Sequence, residues 1–183
     1  MFVIVGKTCS GKTTIVEKLC LDYNIPRIVT YTSRLIRKGE IKDITYHYIS
    51  EEEFLKKIDE GFFAEWKKYE TIEGTWYYGT ALKDLENAEN NEVVILTPDG
   101  CRDVEKIFGN DIKCIYIYAN NQTIKERLIA RGDNELEANR RLSHDNADFK
   151  SFEYEADIII YNNSDTGINK VVKRILEFME ANK

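Results

Sequence analysis

The chain has 183 residues, 43% hydrophobic and 32% charged, with 26 Lys plus Arg against 32 Asp plus Glu, a net charge of −6. That length suits one domain with room for a small inserted lobe, and the apolar content excludes a disordered chain. The acidic total argues against DNA or RNA as a partner, because phosphate backbones are met by basic faces. Any phosphate handled here must be held by a local cluster of cations.

Phe2–Val5 is an all-apolar run, too short for a signal peptide or a membrane span, and it reads as a strand buried on both faces. No membrane partner is expected, because no other run is long enough to span a bilayer. A glycine loop follows, then residues 12–21, where Ile15, Val16, Leu19 and Cys20 fall at helical spacing. Within residues 30–80 a short extended piece at 46–49 precedes the capping box Ser50-Glu-Glu-Glu53, which announces a helix. The run 62–69 and a hairpin through Gly74-Thr75 complete a small antiparallel lobe. Further buried strands are expected at 93–96, 115–118 and 157–161. Helical patterns fall at 99–108 and 123–130, and a last helix carries Ile168, Val171, Val172, Ile175 and Met179 on one face.

Strands alternating with helices imply an α/β fold with a parallel central sheet covered on both sides. The expected organisation is a core of 1–29, 81–126 and 151–183, a lobe at 30–80, and a polar, helix-prone flap at 127–150. The four cysteines Cys9, Cys20, Cys101 and Cys114 form no CxxC pair and no metal-like spacing, which fits a reducing, cytoplasmic setting. Cys114 opens an apolar run and is expected in the core.

Gly6-Lys7-Thr8-Cys9-Ser10-Gly11-Lys12-Thr13, followed by Thr14, matches G-x-x-x-x-G-K-[ST] between a predicted strand and a predicted helix. Such a loop curls its N–H groups around phosphate oxygens at the positive end of a helix. Lys12 is then expected to reach the β- and γ-phosphates, and the Thr13 hydroxyl to ligate Mg²⁺. The loop alone specifies a nucleoside triphosphate and leaves GTPases, motor ATPases and small kinases open.

The lobe carries more specific patterns: Thr30-Tyr-Thr-Ser-Arg34-Leu-Ile-Arg37-Lys-Gly-Glu40, Tyr46-His-Tyr, Phe63-Ala-Glu65-Trp66 and Tyr77-Tyr78-Gly79-Thr80. Here the sequence closely resembles the guanylate kinase family, whose pattern runs T-T-R-x-x-R-x-G-E, D-Y-x-F, F-x-E-W and Y-Y-G-[ST]. The resemblance continues through Arg127-Leu-Ile-Ala-Arg131-Gly, Arg140-Arg141-Leu-Ser and Ile160-Tyr-Asn162-Asn163, so it covers nearly the whole chain. It implies a P-loop three-layer sandwich with an inserted GMP-binding lobe and a helical lid. The implied reaction is ATP-dependent, Mg²⁺-assisted phosphorylation of GMP or dGMP.

By position, Arg34, Arg37, Tyr46 and Tyr78 would hold the GMP phosphate, and Thr30, Glu65 and Thr80 would read guanine. Asn162 would lie near adenine, while Arg131 and Arg141 would close from the lid onto the ATP phosphates beside Lys12. The residue types suit those tasks. A phosphate monoester takes forked arginines and phenolic hydroxyls. One carboxylate accepts from both N1–H and the 2-amino group of guanine, whereas adenine would turn a lone pair on it.

Trp76 and Tyr77 are expected to be packing, Arg127 and Arg140 spare charges, and His47 and His144 are assigned no role. The family's acidic L-D-x-D-x-Q-G is replaced by Leu96-Thr97-Pro98-Asp99-Gly100, so Asp99 is expected to supply the carboxylate that helps order Mg²⁺, through water, and the base. Other readings are a kinase for a different nucleoside monophosphate or a sugar phosphate, and a non-catalytic binding module. Such modules typically lose the loop lysine, which is present here. Nothing resembles the N-K-x-D signature of a switch GTPase.

Overall fold

A computed structural model describes residues 1–37, 39–71, 74–132 and 135–182, with all their side chains except those of 135–138 and 141. Its central sheet is parallel. β1 (Phe2–Val5) lies between β6 (Val93–Ile95) and β7 (Lys113–Tyr118), and β8 (Ile158–Tyr161) pairs with β7 at the edge.

The alternation of β1 divides the core. Phe2 and Ile4 point to one face, against Ile15 and Leu19 of α1 (Lys12–Tyr23) and Val172 and Ile175 of α7 (Ile168–Ala181). Val3 and Val5 point to the other, with Val104 of α4 (Pro98–Phe108), Tyr116, Phe149 and Phe152. Each fully buried side chain of this size stabilises the fold by about 1.5–3 kcal/mol. Burial on both faces is why the strands read as unbroken apolar runs rather than alternating ones.

The second sheet lies wholly within residues 31–81. It contains β2 (Tyr31–Thr32), β3 (His47–Tyr48), β4 (Phe63–Thr71) and β5 (Gly74–Ala81), in the order β3-β2-β5-β4. β5 runs antiparallel to β2 and β4, but β2 and β3 are parallel, so the sheet is mixed rather than antiparallel throughout. The parallel pair arises because the chain leaves β2 after Thr32 and comes back at His47 to the same edge in the same direction. α2 (Glu51–Asp59) opens on the capping box: the Ser50 side chain accepts from the Glu53 N–H. α2 lays Phe54 under this sheet, stacked on Phe63 with ring centroids 4.4 Å apart. The short α3 (Leu82–Glu86) leads back to the core.

Two helices complete the frame. α5 (Asn121–Arg131) is capped by Asn120, which accepts from the Thr123 N–H at 2.8 Å, and runs unbroken past position 127 to Gly132, whose φ of 75° ends it. α6 (Glu135–Asp148) crosses toward the glycine loop. Among the described residues no helix is long and apolar enough to cross a membrane.

Candidate functional site

The glycine loop joins β1 to α1, and α1 begins only after Gly11, whose φ of 99° lies in the left-handed region. Gly11 also has no room for a side chain: a Cβ there would sit 2.4 Å from Asn162 Nδ2. Lys12 folds back over the loop and donates from Nζ to the carbonyls of Gly6 (2.5 Å) and Lys7 (2.9 Å). Burial pushes its pKa down, against the nearby Asp145 carboxylate.

The loop is braced from behind. The buried Asn162 donates from Nδ2 to the Ser10 carbonyl at 2.8 Å. Arg127 donates from Nη1 to the Cys9 and Ser10 carbonyls, both at 3.1 Å, and from Nη2 to the Asn162 carbonyl at 2.9 Å. Arg127, expected as a spare charge, is thus tied to the loop; its side chain and that of Asn162 end on loop carbonyls, fixing the curl of the backbone. Cys9, within this loop, has a φ of 56°.

One cavity of about 280 Å³ runs from this loop to the second sheet. Gly6, Thr8, Cys9, Lys12 and Thr13 line one end; Thr30, Arg37, Tyr46, Glu65 and Tyr78 line the other; Arg131, Arg140, His144 and Asp145 form a third wall. Residues more than a hundred positions apart are thus brought to one space.

At the far end Glu65 is buried on β4 and accepts from the Thr80 hydroxyl at 2.5 Å. Burial pushes its pKa up to about 7, with the Thr80 hydrogen bond opposing and Asp103 adding to the rise. Thr80 is fully buried behind Glu65 and acts by holding that carboxylate. Gly100 packs closely on it, since a Cβ there would lie 2.8 Å from Glu65 Oε2.

The 34–40 turn is organised by Glu40. Its carboxylate accepts two bonds from the Arg34 guanidinium (2.7 and 3.0 Å), one from the Tyr48 hydroxyl (2.8 Å) and one from the Arg37 backbone N–H (2.7 Å). Against the upward push of burial, these donors hold its pKa down at about 2. Arg34 is itself buried, donates from Nε to the Tyr78 hydroxyl at 3.0 Å, and lies beneath Tyr46 and Tyr48. The structure therefore sets Arg34 behind the phenolic wall, while Arg37 reaches the cavity over the Trp76 ring. Glu40, quoted in the sequence only as part of a turn, is the hub of this end; the Arg–x₅–Glu spacing on a tight turn was its one available signal.

Asp99 is not among the residues that line the cavity containing Thr13. It is ion-paired with Lys67 and with Arg102, and lines an adjoining hollow with Asp103 and Lys106. Thr97 caps α4 by accepting from the Gly100 N–H at 3.1 Å, with Pro98 next in the helix, and that cap directs the Asp99 side chain outward. Lys7, Ser10 and Thr14 belong to the loop and its helix without lining the cavity. The side chain of Arg141 lies outside the described residues.

A phosphate-cradling loop under a parallel sheet, facing a small mixed sheet across one cavity, is the architecture of a P-loop kinase of the nucleoside monophosphate class. The guanylate kinase family model matches residues 1–182. The guanylate kinase of Campylobacter jejuni is 32% identical over 169 residues, covering 88% of this chain and 80% of that protein. That of Bdellovibrio bacteriovorus is 29% identical over 185 residues, covering 96% and 97%. The crystal structure of guanylate kinase from Anaplasma phagocytophilum superposes with a TM-score of 0.70 over 99% of this chain and 84% of that one, at 23% identity, a likeness of fold. This chain belongs to the guanylate kinase family and is an enzyme of that kind.

Proposed function

We propose that this enzyme transfers the γ-phosphoryl group of ATP to GMP or dGMP, forming ADP and the nucleoside diphosphate. The carrying observation is the single cavity with Lys12 at one end and buried Glu65 at the other. In this reading the glycine loop takes the triphosphate. Arg37 and the Tyr46 and Tyr78 hydroxyls take the monophosphate, with Arg34 and Glu40 as their support. Glu65, steadied by Thr80 and beside Thr30, accepts from the N1–H and 2-amino group of guanine.

Transfer through a metaphosphate-like state develops charge between the two nucleotides, which Lys12, Arg131 and Arg141 offset. Among the described residues no group of three His, Cys, Asp or Glu side chains could hold a metal. Thr13, water and phosphate oxygens are the ligands left for Mg²⁺, a donor set that this hard, water-retaining cation commonly takes. Thr13 would hold Mg²⁺ there, and the ion would supply positive charge that offsets the charge of the phosphates. The net charge of −6 supports a small nucleotide rather than a polyanion as substrate.

The test is a coupled assay of ADP formation with GMP, dGMP, AMP, dTMP, UMP and a sugar phosphate. Buried polar groups reject mismatched analogues strongly, so kcat/KM for GMP or dGMP should exceed the others by about 100-fold or more. A better rate with any other acceptor refutes the substrate; no rate with any acceptor refutes catalysis and leaves a binding module.

A further inference from the structure

The wall formed by α6 does more than roof the cavity. The Thr8 N–H, one of the loop amides, donates to Asp145 Oδ2 at 2.6 Å across 137 positions of sequence. Beside it Lys7 Nζ donates to Asn146 Oδ1 at 2.8 Å. Asp145 and Lys12 line the same cavity, and each feels the other's charge.

A loop of converging N–H groups accepts any anionic oxygen, whether from a phosphate or from a carboxylate. Here the carboxylate comes from the protein. One N–H cannot serve both Asp145 and a phosphate at full strength, and a carboxylate held beside Lys12 repels a polyphosphate.

We propose that Asp145 sets the affinity for the donor nucleotide: its carboxylate caps the phosphate loop at Thr8, and ATP binds only by displacing it. The inference rests on the reading that this cavity takes ATP. Asp145 is a positioning residue, acting through α6. Lys7 and Asn146 hold the helix in register while the carboxylate covers the loop, so entry of ATP and release of α6 are one event. GMP, at the other end of the cavity, meets no such competitor.

The experiment is calorimetric titration of the full chain with Mg·ATP and, separately, with GMP, for the native protein, Asp145→Asn and Asp145→Ala. Loss of one charge-assisted hydrogen bond from the competing state should tighten ATP about tenfold in Asp145→Ala. Asp145→Asn, which keeps an acceptor without the charge, should fall between. The Kd for GMP should stay within about twofold, a readout that a general loosening of the fold would move. Equal or weaker ATP binding by Asp145→Ala, with the native protein binding ATP, overturns the inference alone. So does a parallel change in ATP and GMP affinity. Absence of ATP binding in all three proteins overturns the proposed donor as well.

Discussion

Glu65→Gln separates stability from substrate reading at a single atom. The native carboxyl is buried and its pKa stands at about 7, against an ordinary value of 4.5. A carboxyl raised in this way binds its proton more tightly in the folded than in the unfolded chain. Stability therefore falls as pH rises from about 4.5 to about 7 and is level above. Those two values correspond to about 3 kcal/mol that ionised Glu65 costs at pH 8. Gln keeps the shape and still accepts from the Thr80 hydroxyl, but carries no charge to desolvate.

The variant should gain about 2–3 kcal/mol at pH 8, or roughly 5–10 °C in Tm for a chain of this length, and almost nothing at pH 5. Activity should move the other way. The Gln amide would set a donor against a guanine donor, and kcat/KM for GMP should drop about 10²–10³-fold. The native enzyme's kcat/KM should rise toward a plateau above pH 7 as Glu65 ionises, and this limb should vanish in the variant. Thermal melts at the two pH values and steady-state kinetics across pH 5.5–8.5 read all of this. A variant within threefold of native kcat/KM would show that Glu65 does not read the base. A Tm gain equal at both pH values would refute the desolvation argument.

Three further outcomes are expected. Arg127→Met removes the donors to the Cys9, Ser10 and Asn162 carbonyls, and should raise the KM for ATP at least tenfold while leaving that for GMP nearly unchanged; equal rises in both would contradict the assigned role. Glu40→Gln leaves the buried Arg34 without its counter-charge, so urea unfolding should show a loss of about 3 kcal/mol, together with a raised KM for GMP. In the native protein the contribution of Glu40, whose pKa is depressed, is complete above about pH 4.5 and disappears as pH falls toward 2. Gly11→Ala meets both a φ of 99° and Asn162 Nδ2 at 2.4 Å, and should abolish detectable ATP binding by calorimetry while the far-UV dichroism of the fold persists.

Much of the architecture was readable in one dimension because its signals are local. The apolar run of β1, the glycine loop and the spacing of Ile15, Val16 and Leu19 each report a backbone shape fixed within a few residues. The two-residue strands β2 and β3 carry no such period, and their parallel pairing follows from where the chain comes back after Thr32, so an antiparallel lobe was the natural expectation. Asp99 was placed by analogy with an acidic pattern, whereas the Thr97 cap and Lys67, 32 positions away, decide where its carboxylate goes.

The sequence by itself determined the chemistry available to this protein: a loop able to hold a triphosphate, and the Glu65, Tyr78 and arginine set suited to a phosphorylated purine. A glycine, a phenol or a guanidinium keeps its geometry and donor pattern wherever it stands, so that repertoire, unlike the roles within it, needs no fold. The tertiary structure alone decided which groups answer one another. Arg127 and Asn162 reach the loop over 118 and 152 positions, and Asp145 reaches Thr8 over 137. Glu40 gathers four donors from three residues because the turn and the edge of the second sheet converge there. Pairings of this kind depend on distance and burial, and both arise only when the sheets and helices pack.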